Sequence, residues 1–384
     1  MKSVDVIVVG AGIMGSATAW HLSKAGARVL VVEAGSPVHD SGSSHGASRI
    51  FRRAYWEGSA YLPLLGLADQ GWTALQDTTD KPLLFRCGGV FVGAADGAVL
   101  AGSLKTAVAG HIAHAHWSAA DMQRRFPQFA LPDQMHALHE PGAYVIAAEQ
   151  ARLQMLDLAV QHRASLWHGE RVTQLDAGGP GPGITTASGM RVSASAVVVT
   201  TGPWIAGQLL PELAPWLSPC RIPIYWFEPR PSQEAAFQPG RFPLFLYQFN
   251  DGALLYGIPA GMPGEAGVKI GFHNRQQSPT DPAAPPPGAV QAHCMDEIGQ
   301  RVSSILPGLA PAPCRSKWCW YTVSTDESFF LGQSERHPGV YFASACSGHG
   351  FKFAPAIGET LAAMAQGKTL PVDIDAYSLR RLAR

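Results

Sequence analysis

Asp5-Val6-Ile7-Val8-Val9 opens the readable pattern as a β-branched run with no polar residue inside it, which predicts a strand buried on both faces. Gly10-Ala11-Gly12-Ile13-Met14-Gly15 turns this strand into a predicted helix, Ser16 to Ala25, closed by Gly26. Arg28 to Glu33 is a second apolar run, ending on an acid, and completes a βαβ unit. Ala196-Val197-Val198-Val199-Thr200-Thr201-Gly202 and Gly339-Val340-Tyr341-Phe342-Ala343 repeat the buried-strand pattern far downstream. A parallel sheet built from such distant pieces must be interrupted by insertions. Those insertions read differently: Gly88-Gly89-Val90-Phe91-Val92 and the stretch from Arg221 to His273 break into short β-like runs, such as Leu254-Leu255-Tyr256-Gly257-Ile258. They predict a second, largely antiparallel sheet. Gly178-Gly179-Pro180-Gly181-Pro182-Gly183 is a loop or hairpin end. Ser278 to Gly288, with five prolines, is a surface connection before an amphipathic helix near Val290 to Ile305. The fold class is therefore α/β, a Rossmann-like domain interleaved with an α+β domain on an antiparallel sheet.

Composition narrows the function classes. Lys+Arg and Asp+Glu both number 29, so no basic excess points to nucleic acid or an anionic membrane surface. With 384 residues, the chain can bury two domains or one large α/β unit. Gly 41 and Pro 30 mark tight connections rather than disorder, because 46% of residues remain hydrophobic. Cys87, Cys220, Cys294, Cys314, Cys319 and Cys346 contain no CxxC pair, which argues against a disulfide scaffold and against a zinc site; no metal is expected. The apolar run Val4 to Trp20 has only Lys2 before it and carries glycines at motif spacing, so it does not read as a signal peptide. No 18-residue apolar stretch occurs, and a cytoplasmic protein with no membrane partner is expected.

Gly10, Gly12 and Gly15 form GxGxxG in its required setting of strand, turn and helix. The first permits the tight turn, the second admits a pyrophosphate, and the third lets helix and strand pack closely. The helix N-terminus adds amide donors and partial positive charge. Glu33, at the end of the second strand, is placed to accept ribose hydroxyls and to repel a 2′-phosphate. This motif does not by itself separate FAD from NAD.

Four further segments carry more. They are Ser44-His45-Gly46-Ala47-Ser48-Arg49-Ile50-Phe51-Arg52, Lys269-Ile270-Gly271-Phe272-His273, Cys319-Trp320-Tyr321-Thr322 and Ser347-Gly348-His349-Gly350-Phe351-Lys352-Phe353. With the glycine motif they resemble the monomeric sarcosine oxidase and N-methyltryptophan oxidase family, FAD-dependent amine oxidases of the D-amino acid oxidase superfamily, from Asp5 to about Tyr377. The resemblance implies FAD held in a discontinuous domain of residues 1–80, 145–219 and 315–384, with a substrate domain of residues 81–144 and 220–314. It implies that Cys319 forms a thioether with the flavin 8-methyl carbon, its thiol activated by cations such as Lys317 or Arg49. Ser44, His45 and Arg49 would run beside the flavin ring, and Val172, Gly348, Gly350 and Lys352 would complete the cofactor site. The helix after Lys352, Ala354 to Gln366 with Pro355 in its first turn, would aim its dipole at the ring.

The same resemblance places a substrate carboxylate on Arg52 and Lys352, one a planar fork and the other a point charge. Strand alternation puts Lys269, Gly271 and His273 on one face. Lys269 would then serve O2 reduction, while His273 and Tyr256 line the substrate pocket, and Arg49 joins these three as a catalytic group. The partners implied are a small amine and O2, with a monomeric protein. Without the resemblance each residue has an ordinary reading: an inert buried thiol, a solvated arginine edge, a surface lysine, a core histidine. The chain also departs from the family pattern. The loop Ala260 to Gly267 is slightly longer, Ala47 stands where an acidic or polar residue is common, and Trp320 is large. Leu246, Tyr247 and Phe249 fall where substrate contacts vary, and the aromatics point toward a bulkier or cyclic imino acid such as pipecolate or proline, or an N-methyltryptophan. A flavin dehydrogenase with another electron acceptor is the remaining alternative.

Overall fold

Val6–Val9 lies inside a six-stranded sheet, paired in parallel with Ala196–Val199 on one side and Val29–Glu33 on the other. The computed structural model describes residues 4–176 and 181–383. Val340–Ser344 and Ser165–His168 extend this sheet in parallel, and Phe330–Gln333 closes one edge antiparallel. Alternation explains why the strands are apolar throughout. Val6, Val8, Val29 and Val31 enter the core beneath the helices, while Ile7, Val9, Leu30 and Val32 enter a second core on the opposite face. Each such side chain, fully buried, contributes about 1.5–3 kcal/mol. Helix Ile13–Lys24 packs against helices Ala148–Gln161 and Ala354–Ala365. It starts at Ile13 rather than Ser16, because Gly12 is already the extended N-cap residue and Gly15 lies within the first turn.

The second sheet has nine strands. Leu217–Phe227, Val268–Phe272, Leu254–Ile258 and Leu244–Gln248 run antiparallel in that order, and Gly89–Ala94 joins Leu244–Gln248 in parallel. Arg315–Ser324 pairs along Leu217–Phe227 and sets Cys319 opposite Ile222. A small three-stranded sheet of Ser48–Phe51, Tyr144–Ala147 and Leu84–Arg86 sits beside it and carries Arg49. Helix Ala292–Ile305 confirms the amphipathic pattern, burying Cys294, Ile298, Val302 and Ile305. The glycine–proline run from Gly178 to Pro180 lies outside the described residues; the flanking strands Val172–Asp176 and Gly183–Thr186 pair antiparallel. The proline-rich stretch is more than a surface connection. Ser278–Pro279 pairs with Cys220 and Arg221, and Asp281, Pro282 and Ala283 line the main cavity. No helix among the described residues is long and apolar enough to cross a membrane.

Candidate active site

A cavity of about 880 Å³ runs from the C-terminal ends of the parallel strands to the face of the antiparallel sheet. This is where an open α/β sheet places its ligands. Gly10, Gly12, Glu33, Ser44, His45, Arg49 and Val172 line it at the nucleotide side. Arg52, Tyr256, Lys269, His273, Cys319, Gly348, Gly350 and Lys352 line the remainder. Gly15 lies behind the wall, where a side-chain carbon would stand 1.8 Å from the Gly10 carbonyl oxygen.

At the nucleotide end, the Ile13 amide donates to Ser44 Oγ at 3.0 Å, the N-cap residue Gly12 contributes no side-chain cap, and Gly12, Ile13 and Met14 line the cavity. Glu33 accepts from the amides of Ala11 at 2.7 Å and Gly35 at 2.8 Å, with His39 Nε2 at 3.5 Å. Burial works against its carboxylate, but the bonds from His39, Gly35 and Ala11 outweigh it and hold the pKa at about 2. Arg152, which the sequence reading missed, donates to the carbonyls of Ala11 and Pro37 at 3.1 and 2.7 Å and ties the turn to helix Ala148–Gln161. An arginine within an ordinary amphipathic helix gives no local signal of such a role. Among the described residues, Thr201 Oγ1 and Ser43 Oγ are buried without a hydrogen-bond partner. Both residues line the cavity. Unpaired polar atoms of this kind are costly unless a ligand satisfies them, and they fit a polar dinucleotide along this wall.

Further in, Arg49 is fixed by three carbonyls, those of Ser48, Ser43 and His45, at 2.7–2.8 Å. Its guanidinium reaches Cys319 Sγ at 3.9 Å. Burial alone would raise the Cys319 thiol, yet attraction from His45, then Arg49 and Lys269, pulls it down to about 6. Lys317 does not take the activating position expected of it. It pairs with Asp40 at 2.9 Å, because an exposed carboxylate lies within its reach. Trp320 turns its ring under Arg221, 3.7 Å from the guanidinium, and fills the wall beside Trp204.

At the opposite end of the cavity, the buried carboxylate of Glu140 accepts from the amides of Arg53 and Ala54, both at 2.9 Å, and pins the chain just after Arg52. Arg52 Nη2 meets both carboxylate oxygens of Glu57, at 2.6 and 2.7 Å. Burial opposes the Glu57 charge, but Arg52, His349 and Lys352 hold its pKa at about 2. Glu57 had no signature in the sequence beyond being an acid a few residues past Arg52. Lys352 Nζ donates to the His349 carbonyl at 2.6 Å, and its own carbonyl is anchored by Trp72 Nε1 at 2.6 Å. Burial and then repulsion from Arg52 bring the Lys352 ammonium down to about 7, against the pull of Glu57. His273, held neutral by burial with a pKa of about 4, packs edge-on to Trp56. Tyr256 lies across Gly271, where any side-chain carbon would meet its hydroxyl at 2.7 Å. Lys269 is brought to the same face, its pKa lowered to about 8 mainly by burial. The expectation for Tyr247 and Phe249 is corrected. Their rings pack tilted against each other with centroids 4.7 Å apart, with Tyr247 buried in the core behind the sheet, while Leu246 faces the cavity by strand alternation.

Over nearly its whole length the chain is similar to known amino acid oxidases. It is 34% identical over 380 residues to a monomeric sarcosine oxidase of Streptomyces avermitilis, covering 99% of this chain and 98% of that one. It is 32% identical over 377 residues to an N-methyl-L-tryptophan oxidase of Yersinia pestis, covering 98% and 99%. Among solved structures, NikD, an unusual amino acid oxidase essential for nikkomycin biosynthesis, superposes with a TM-score of 0.83 at 26% identity, covering 98% of both chains. An L-proline dehydrogenase from P. horikoshii shares the fold, with a TM-score of 0.82 at 20% identity over 100% of this chain and 98% of that one. The family profile described as DAO, FAD dependent oxidoreductase, matches residues 5–364. The chain belongs to the DAO family of FAD-dependent oxidoreductases.

Proposed function

We propose that the protein oxidises secondary or N-methyl amino acids of the sarcosine kind, with FAD joined covalently through Cys319 and O2 as electron acceptor. One observation carries this reading: a single cavity joins the glycine turn and Glu33 to a low-pKa thiol, then to the buried cations Arg52 and Lys352 facing Tyr256 and His273. Arg315–Ser324 belongs by pairing to the substrate sheet and carries Cys319 to the cofactor wall, so it joins the two discontinuous domains read from the sequence.

FAD, which Gly10, Gly12, Glu33 and Cys319 would hold, would supply an acceptor for two electrons and a hydrogen from the C–H bond beside the amine nitrogen and a route for those electrons to O2. The protein supplies the positioning. Arg52 and Lys352 receive the substrate carboxylate in place of Glu57. The surrounding cations lower the pKa of a bound amine, so the nitrogen lone pair is available without a dedicated base. Burial pushes the Tyr256 phenol well above its ordinary value, so it stays protonated, and neutral His273 adds no charge of its own. Lys269 offers a fixed positive charge where O2 becomes reduced. Water then hydrolyses the released imine to an amine and an aldehyde or oxo product.

The test is peroxide release in air from sarcosine, N-methyltryptophan, pipecolate and proline. Turnover of sarcosine supports the small N-methyl substrate. Turnover confined to a larger or cyclic amine keeps the reaction and moves the substrate. Silence with all four overturns the oxidase reading.

A further inference from the structure

Lys269 is not a free cation projecting into the cavity. Its Nζ donates to the carbonyls of Gly46 at 2.5 Å and Ser48 at 2.9 Å, and stands 3.3 Å from Glu265 Oε1. Glu265 Oε2 accepts from Ser48 Oγ at 2.7 Å. The Lys269 and Glu265 side chains are 2% and 1% exposed, so the ion pair is fully buried. Glu265 comes from the Ala260–Gly267 loop, and a side-chain carbon on neighbouring Gly264 would lie 4.0 Å from Ala47 Cβ. The loop therefore packs against the Gly46–Ser48 turn whose carbonyls hold Lys269. Lys269 lines the main cavity and Glu265 lines a second one of about 390 Å³, so the pair forms part of the wall between them.

We propose that Glu265 is a positioning residue for oxygen reduction, holding Lys269 protonated and fixed against Gly46 and Ser48 where O2 accepts electrons. This rests on the reading of Lys269 as the oxygen-side cation. In that step O2 takes two electrons from the reduced cofactor and two protons, one from the cofactor and one from solvent, and leaves as hydrogen peroxide. Lys269 keeps its own proton and stabilises negative charge as it develops on oxygen.

The groups facing Nζ make the dependence on Glu265 specific. Burial and repulsion from Arg49 favour the neutral amine, while Glu265 and Cys319 favour the ammonium. The Trp226 ring lies 5.9 Å from Nζ, with Arg315 on the same ring at 4.8 Å, and His45 stands next to Cys319. Once Cys319 is consumed in a thioether it carries no thiolate, and the charge opposing Arg49 falls to Glu265. Lysine is charged below its pKa, so removing the carboxylate must move loss of the cation to lower pH.

Glu265→Gln keeps an acceptor for Ser48 Oγ and removes the charge. In the FAD-loaded protein with ¹³Cε-labelled lysine, the Lys269 NMR titration midpoint, assigned with Lys269→Met, should fall by about 1–3 units. The pH profile of O2-driven flavin reoxidation should fall with it, while anaerobic reduction by substrate is unchanged and Glu265→Asp restores the profile. An unmoved midpoint and profile in Glu265→Gln, alongside slowed reoxidation in Lys269→Met, overturns the role of Glu265 alone. Unaltered reoxidation in Lys269→Met overturns the underlying reading of Lys269, and the oxygen role of the pair falls with it.

Discussion

Arg52 Nη2 sits 2.6 and 2.7 Å from the two carboxylate oxygens of Glu57, so an internal anion rests on the guanidinium assigned to the substrate carboxylate. Both side chains are buried, and a charge-assisted hydrogen bond nets about 1.5–3 kcal/mol. Binding a substrate carboxylate must displace or share that contact. Glu57→Gln should therefore tighten binding of a simple carboxylate inhibitor that lacks an amine, by about tenfold or more. Titration of the flavin absorption spectrum measures this. Weaker binding in the variant would show that Glu57 orients Arg52 rather than competing for it.

Lys352 gives the site a pH dependence. Burial and the neighbouring Arg52 place its pKa at about 7, so the ammonium is present below that pH and lost above it. Affinity for the same carboxylate should fall as pH rises through about 7, and above it binding should take up a proton. Calorimetry in buffers of different ionisation enthalpy reads the proton directly. Lys352→Met should abolish the uptake and flatten the profile.

Cys319 has a thiol pKa of about 6 beside Arg49. Acid precipitation of the wild-type protein should leave the flavin with the pellet, whereas Cys319→Ser should release it into the supernatant. Equal release from both proteins would remove the covalent link.

Lys269→Met should slow flavin reoxidation by O2 by about 10²-fold or more, the cost of losing one preorganised charge-stabilising group, and leave anaerobic reduction by substrate much less affected. Stopped-flow absorbance separates the two half-reactions. Equal slowing of both would place Lys269 in substrate oxidation instead.

The nucleotide end was legible because its parts are local. The turn that needs Gly10, the close approach that needs Gly15 and the acid Glu33 all fall inside one βαβ unit. The shared face of Lys269 and His273 followed from strand alternation alone. What escaped were partners brought together by loops and insertions: Glu57 on Arg52, Glu265 on Lys269 and Arg152 on Ala11. No short-range pattern records such meetings. Tyr247 shows the opposite hazard, an aromatic that suggests a pocket until the strand register turns it into the core and Leu246 into the cavity. Lys317 was placed near Cys319 by sequence distance, but its long side chain found Asp40.

The most direct test mixes the oxidised protein with sarcosine under argon and then admits air, following the flavin band and peroxide in one cuvette. The account predicts bleaching under argon, recovery of the band in air, and one peroxide for each sarcosine oxidised. Bleaching that persists in air would contradict the oxygen chemistry and indicate a dehydrogenase; no bleaching with sarcosine or any other secondary amino acid would contradict the assigned reaction itself.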